Sequence, residues 1–172
     1  MAEVYLSLGS NEGDRLNSLV KATKLIDNLI GRINKYSSVI ESEPWGFSAE
    51  MTFYNMVLLI DTECTPQQVL TKALEIETSL GRIRQGKEYA SRIIDIDILF
   101  YNAETIKGNN LVIPHPLMHK RKFVLQPLSE IAPDLIHPVL NSSIAELLLS
   151  LNEPVPLSIA VEKREFASLM KL

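Results

Sequence analysis

The residues most able to do chemistry lie in one stretch, RIRQGKEYASRIIDIDILFY, from Arg82 to Tyr101. Three arginines, Arg82, Arg84 and Arg92, precede two aspartates separated by a single residue, Asp95 and Asp97. Arg92 to Tyr101 is rich in isoleucine and reads as a strand. Alternate strand residues share a face, so Asp95 and Asp97 project to one side, and Ile94, Ile96, Ile98 and Phe100 to the other, into the core. Two strand residues span roughly 6.6 Å between Cα atoms. Carboxylates at that separation converge on one hard cation or clamp two ions. Like charges on one face of a buried strand need compensation. Either a cation supplies it, or Arg82, Arg84 or Arg92 does so through structural ion pairs. Guanidinium forks also bind phosphate, and Mg²⁺ held by few carboxylates completes its shell with water and phosphate oxygens. Carboxylates, a divalent cation and arginines, Arg121 among them, are the parts for phosphoryl transfer.

The elements that must hold these groups follow from the periodicities. Val4 to Gly9 is a short apolar run that stops at the turn cluster Gly9-Ser10-Asn11-Glu12-Gly13, and reads as a buried strand. Leu16, Leu19, Val20, Thr23, Ile26 and Ile30 then mark one face of a helix that Gly31 ends. Ile33 to Glu43 alternates and reads as a strand, 44–52 as a loop, and Phe53 to Thr62 as a central strand. Thr65, Pro66 and Gln68 spell the start of a second helix, with an N-cap, a first-turn proline and a capping box. Val69, Ala73, Ile76 and Leu80 form its inner stripe, and Gly81 stops it. With the strand over 92–101 the order is β-α-β-β-α-β. This predicts an α+β fold of the ferredoxin-like kind, an antiparallel sheet with both helices on one face. A proline-rich stretch and short helices follow. The clearest of these opens at Ser143, with Glu146 as its reciprocal cap, and runs to Leu151. Residues 1–151 are expected to form the working domain and 152–172 a tail with no assigned element.

The chain has 172 residues, 46 % hydrophobic and 22 % charged, the make-up of one globular domain rather than a disordered or fibrous chain. One cysteine, Cys64, excludes an internal disulfide and a cysteine zinc cluster, and fits a reducing cytoplasm. A net charge of −4 argues against nucleic acid or an anionic membrane as partner. No apolar stretch approaches the roughly 20 residues that span a bilayer. The start, Met1-Ala2-Glu3-Val4-Tyr5, carries no signal-peptide pattern. A cytoplasmic monomer is expected. Neither Gly-x-x-x-x-Gly-Lys-Ser/Thr nor Gly-x-Gly-x-x-Gly occurs, so a nucleotide would be held by side chains and metal. Read alone, His115 between two prolines is a surface or hydrogen-bonded residue, and His119-Lys120-Arg121-Lys122 a solvated face. Likewise His137 reads as structural, Phe53-Tyr54-Asn55 as core and Cys64 as a packing residue. Trp45 in its glycine-flanked loop has no evident core to fill.

The segment Arg82-x-Arg84 … Ala-Ser-Arg92-Ile-Ile-Asp95-Ile-Asp97-Ile-Leu resembles the signature of the 6-hydroxymethyl-7,8-dihydropterin pyrophosphokinase family. The resemblance extends over about residues 3–150. It takes in Leu8-Gly9-Ser10-Asn11, Phe53-Tyr54-Asn55, Pro114-His115 with Arg121 and Phe123, and Pro127-Leu128-x-Glu130-Ile131-Ala132-Pro133. It implies a ferredoxin-like enzyme that moves pyrophosphate from ATP to a pterin alcohol and releases AMP. It implies that Asp95 and Asp97 bind two Mg²⁺ with ATP, and that Arg82, Arg84, Arg92, His115 and Arg121 hold the phosphates. Arg82 and Arg92, with Asp97, are the catalytic positions it points to. Leu70, Glu77, Ile98 and Leu111 are its adenosine contacts. Phe53 and Phe123 sandwich the pterin, Asn55 bonds its edge, and Glu43, Pro44, Trp45 and Tyr89 belong to the loops over it.

The chain departs from the family pattern at Glu88, where a basic residue is usual, at Tyr89 for a tryptophan, at Pro116 for a tyrosine, and at Glu43 for a smaller residue. These bear on loop closure and affinity rather than on reaction type. Loops 44–52 and 82–92 are expected to order when ligands bind. Two alternatives use the same residues. One is a metal-dependent phosphoesterase or nuclease on the Asp pair. The other is a non-catalytic ferredoxin-like module binding RNA, which needs a basic sheet face.

Overall fold

The computed structural model describes residues 1–46, 50–82, 91–153 and 156–171. The first apolar run forms β1 (Ala2–Ser10), the inner strand from which the sheet is built. Asp14 then caps α1 (Arg15–Leu29) by accepting from Asn17 N at 3.0 Å. Gly31 ends that turn where the chain presses on β4; a Cβ there would collide with the Asp61 carbonyl and Thr62. β2 (Arg32–Tyr36), β3 (Val39–Ser42) and β4 (Phe53–Thr62) follow, then α2 (Pro66–Ser79) behind the predicted capping box. β5 (Asp95–Tyr101), the small hairpin β6 (Ile106–Lys107) and β7 (Val112–Ile113), α3 (Lys122–Ile131) and α4 (Ile144–Ser150) come next. β8 (Ile159–Val161) and α5 (Lys163–Met170) end the chain.

The main sheet is antiparallel in the order β5-β1-β4-β3-β8, with β2 on β4 as well. Val4, Leu6 and Leu8 of β1 pack with Leu19, Ile26, Val69, Ala73 and Ile76, so α1 and α2 cover one face. Tyr5, Val57, Leu59, Leu99 and Phe100 pack with α3 and α4 on part of the other. This is the expected ferredoxin-like arrangement. The rest of the second face stays open as a site.

Four details differ from the sequence reading. The strand over 33–43 is broken in two. Ser37 Oγ accepts from Val57 N at 2.9 Å, and Ser38 N and Oγ donate to the Glu130 carboxylate, so the chain steps off the ladder between β2 and β3. The strand expected from Arg92 begins only at Asp95. Phe100 lies on the opposite face from Ile96 and Ile98. β5 has a bulge, with Tyr5 opposite Phe100 and Leu6 opposite Ile98, and the unpaired Leu99 inverts the alternation. Finally, the segment after residue 151 carries two elements. β8 extends the sheet beyond β3, and α5 buries Phe166 beside Tyr36, with ring centroids 5.8 Å apart.

Candidate active site

Asp95 and Asp97 rise from β5 on the face away from α1 and α2, as their spacing predicts. Their neighbours across the ladder are Gly9 and Ser7 of β1, and Gly9 faces Asn55 of β4. A Cβ on Gly9 would lie 3.0 Å from Asn55 Oδ1, so the missing side chain leaves room for a buried amide. Asn55 Nδ2 donates to Ser42 Oγ at 2.8 Å, which fixes the amide's orientation. Around this floor stand Phe53, Phe123, Trp45 and Glu43, and together they form a slot with aromatic walls and an amide at its base. Trp45 and Phe123 also bracket a charge: Arg121 Cζ lies 4.8 Å from the Trp45 ring centroid and 5.8 Å from that of Phe123.

The charged groups are unequally shared between the two aspartates. Arg82 Nη1 donates to Asp95 Oδ1 at 2.5 Å, lies 2.6 Å from Glu77 Oε1, and also reaches the Ile94 carbonyl. Arg92 Nη1 donates to Asp95 Oδ2 at 2.7 Å. The ion pairs weighed as an alternative from sequence thus form at Asp95. Near Asp97 stand His115 Nε2 at 3.8 Å and the Arg121 guanidinium, Nη1 at 4.0 Å. Among the described residues Asp97 accepts no hydrogen bond. Desolvation and the Asp95 charge push its carboxyl up to about 7, against the pull of Arg121. Burial and the Arg121 charge hold His115 down at about 4. Burial opposes the Arg82 guanidinium, but Asp95 and Glu77 outweigh it and raise its pKa.

Second contacts hold these groups in place. Glu77 is buried in α2, where its carboxylate accepts Ile96 N at 2.8 Å and ties α2 to β5. Arg92 is latched at its backbone by Asn11: its N–H donates to Asn11 Oδ1 at 2.8 Å and its carbonyl accepts Asn11 N at 3.1 Å. His115 N donates to Leu99 O, and His115 Nδ1 accepts Leu117 N, so Nε2 is turned toward Asp97. A second cavity runs from this cluster along α2, past Leu70, Leu74, Glu77 and Asn110, and its extension reaches Ile98 and Leu111. Arg92, Asp95, Asp97 and Arg121 line both this cleft and the aromatic slot.

These residues suit a hard divalent cation. Asp97 has unfilled acceptor capacity and excess negative charge. Each Asp95 oxygen that accepts an arginine keeps a second lone pair. Among the described residues no three His, Cys, Asp or Glu side chains gather as a metal cluster.

The structure brings together most of the residues singled out from sequence: Arg82, Arg92, Asp95, Asp97, His115 and Arg121 in one cluster, Glu43, Trp45, Phe53, Asn55 and Phe123 in the slot, and Leu70, Glu77, Ile98 and Leu111 along the cleft. Pro44 is half-buried beside Trp45. Arg84, Glu88 and Tyr89 lie outside the described residues, as does most of the loop over 82–92 and the middle of that over 44–52. Two composition-based readings are corrected. The run His119–Lys122 is not a solvated face: Arg121 and Lys122 are buried, and Lys122 Nζ donates to Glu153 O at 2.7 Å. Phe53 and Asn55 line the slot rather than only filling a core. Ser7, Ser42 and the Asn11 latch were not foreseen. A glycine inside a strand, Gly9, was the available signal for a close approach at this place.

The fold and site define a class, an enzyme that passes a phosphoryl-type group between two substrates held in adjoining cavities. Comparison with known proteins narrows it. Residues 5–133 match the 7,8-dihydro-6-hydroxymethylpterin-pyrophosphokinase (HPPK) family, and the chain belongs to that family. A curated relative from Aquifex aeolicus, a 2-amino-4-hydroxy-6-hydroxymethyldihydropteridine pyrophosphokinase, is 42 % identical over 146 residues, 85 % of this chain and 90 % of the relative. A relative of the same name from Porphyromonas gingivalis is 43 % identical over 141 residues, 80 % of this chain and 95 % of its own length. The crystal structure of Plasmodium falciparum HPPK-DHPS with pteroate superposes with a TM-score of 0.73 at 18 % identity, over 87 % of this chain and 44 % of that one, and so shares the fold.

Proposed function

We propose that this chain transfers pyrophosphate from ATP to the hydroxymethyl group of 6-hydroxymethyl-7,8-dihydropterin, releasing AMP, in folate biosynthesis. One observation carries the reading: Arg92, Asp95, Asp97 and Arg121 stand at the junction of an aromatic slot and a cleft along α2. ATP lies in the cleft, its adenosine against Leu70, Glu77, Ile98 and Leu111, its phosphates toward Arg82, Arg84, Arg92, His115 and Arg121. The pterin ring lies between the faces of Phe53 and Phe123. Its amide-like edge meets Asn55, which Ser42 holds in one orientation. Glu43, Pro44 and Trp45 border the slot, and Tyr89 is assigned to the pterin with them.

The hydroxymethyl oxygen attacks the β-phosphorus in line and gives up its proton to solvent, the bond from the β-phosphorus to the α-phosphate oxygen breaks, and AMP departs with that oxygen. Asp95 and Asp97 would hold two Mg²⁺ with ATP, which would supply charge neutralisation on the phosphate oxygens. Arg82, paired with Glu77, and Arg92, held at its backbone by the Asn11 latch, meet the developing charge, so positioning and electrostatics do most of the work. No helix among the described residues is long and apolar enough to cross a membrane. The reading carries with it a cytoplasmic monomer that binds neither nucleic acid nor membrane, in keeping with the net charge of −4 and the single cysteine.

Nucleotide chromatography tests it. With ATP, Mg²⁺ and the pterin alcohol, AMP is the expected nucleotide product and forms only when the pterin is present. ADP would mean that the β-phosphorus is not attacked. Pterin-independent hydrolysis would favour a phosphoesterase, a reaction for which the aromatic slot has no use.

A further inference from the structure

We propose that Arg15 is a positioning residue for pterin binding, acting from the far side of the sheet on the two feet of the connection between β3 and β4. The inference rests on the pterin reading of the slot above. Arg15 is the first residue of α1. Its Nη1 donates to Thr52 O at 2.9 Å and to Thr52 Oγ1 at 2.7 Å, and lies 3.3 Å from Glu41 Oε1. Thr52 Oγ1 donates to the same Glu41 oxygen at 2.5 Å. The guanidinium is also stacked on Tyr54, with Cζ 3.8 Å from the ring centroid. Only 15 % of the Arg15 side chain is exposed.

Glu41 is the penultimate residue of β3, and Thr52 immediately precedes β4. Across the ladder Glu41 pairs with Tyr54 and Ser42 with Phe53. Alternation therefore puts Glu41 and Tyr54 under α1, and Ser42, Phe53 and Asn55 in the slot. Each foot is one residue from a slot residue: Glu41 precedes Ser42, and Thr52 precedes Phe53. Asn55 keeps its β1 pairing, but without the clamp Ser42, which orients the Asn55 amide, is held beside Phe53 and Asn55 by a ladder of three pairs at a strand end, where pairing opens most easily. The groups lining the nucleotide cleft lie on α2 and β5, at Arg82 and Arg92, and along the segment from Asn110 to Arg121, and among the described residues no Arg15 contact reaches them. Arg15 thus bears on one substrate and not on the other.

Arg15→Met keeps an unbranched apolar side chain and removes the guanidinium, with its hydrogen bonds to Thr52 and its stacking on Tyr54. The expected result is a rise of about tenfold in the KM for the pterin alcohol, the size of one charge-assisted hydrogen bond. The KM for ATP should stay within about twofold, since none of its contacts changes. Trp45 is the only tryptophan, so quenching of its emission by pterin gives the same affinity loss without turnover. Arg15→Lys, a point charge that cannot grip both feet, should fall between wild type and Arg15→Met. An unchanged pterin KM, or an equal rise in both KM values, overturns the inference. If Arg15→Met does not fold, Thr52→Val, which deletes the shared hydroxyl at nearly constant shape, is read by the same two outcomes. Wild-type AMP release is the control. Its absence would sink the proposed reaction, whereas AMP release with an Arg15 variant of normal pterin KM would sink the clamp alone.

Discussion

Replacing Asp97 with asparagine should make the ligand-free protein more stable while it removes cation binding. Asp97 shares one face of β5 with Asp95, Arg121 Nη1 is 4.0 Å away, and His115 Nε2, at 3.8 Å, belongs to an imidazole held neutral. Its carboxyl is pushed from an ordinary 3.8 to about 7. Between those values the folded state holds a proton that the unfolded chain has lost, so Asp97 lowers stability as pH rises through this window. At about 1.4 kcal/mol for each pH unit, the ceiling at pH 8 is about 4 kcal/mol. The side chain keeps 38 % of its surface in solvent. Screening there brings the cost to about 1–2 kcal/mol. Asparagine has the same shape and no charge. For a domain of this size, that gain corresponds to a Tm rise of about 3–6 °C at pH 8. At pH 5 the native carboxyl is protonated, and only about 1.2 of the roughly 3.2 pH units of this window separate that pH from the unfolded value, so the gap between variant and wild type should shrink to about a third of its size at pH 8. Thermal melts by circular dichroism at the two pH values, with and without Mg²⁺ and ATP, measure this. Wild type should gain Tm from the added ligands, and Asp97→Asn should gain far less. A variant Tm at or below wild type at pH 8, or a gap of equal size at pH 5, would refute the electrostatic account.

Three further outcomes follow from other contacts. Arg82→Met removes the guanidinium 2.6 Å from buried Glu77; urea denaturation should show a loss of about 3 kcal/mol, with part of it restored by adding Glu77→Gln. His115 is held at about 4 against an ordinary 6.5, so the stability of its neutral form is complete above 6.5 and lost as pH falls through about 4. Over that window its slope opposes that of Asp97, so His115→Gln should expose a fall of apo stability with rising pH that wild type masks, visible in urea melts from pH 4 to 6.5. Phe166→Ala should cost about 3–4 kcal/mol by the same assay, because the ring is fully buried against Tyr36; a loss below 1 kcal/mol would mean that α5 is not docked in solution.

Much of the site was legible because its signals are local. The one-residue spacing of Asp95 and Asp97 puts both on one side of a strand whatever surrounds it, and the box at Thr65 and Gln68 starts α2 wherever α2 packs. What stayed hidden depends on partners far along the chain. The unpaired Leu99 that turns Phe100 into the second core exists only in the register with Tyr5 and Leu6. The tail showed no strong periodicity. β8 has three residues, and it is a strand because the edge of β3 offers unpaired backbone groups. The buried state of Lys122 likewise depends on Glu153, from a segment with no sequence signal of its own.

The sequence by itself determined that two acids and several guanidinium groups would meet on one strand face of a ferredoxin-like sheet, since strand period and helix caps are properties of neighbouring residues. Only the tertiary structure decided that Arg82 and Arg92 close on Asp95 and leave Asp97 under-compensated. It also decided that Arg15 grips Glu41 and Thr52 from behind the slot. Such choices depend on which side chains the packed sheet carries within hydrogen-bond reach, and no spacing along the chain encodes that distance.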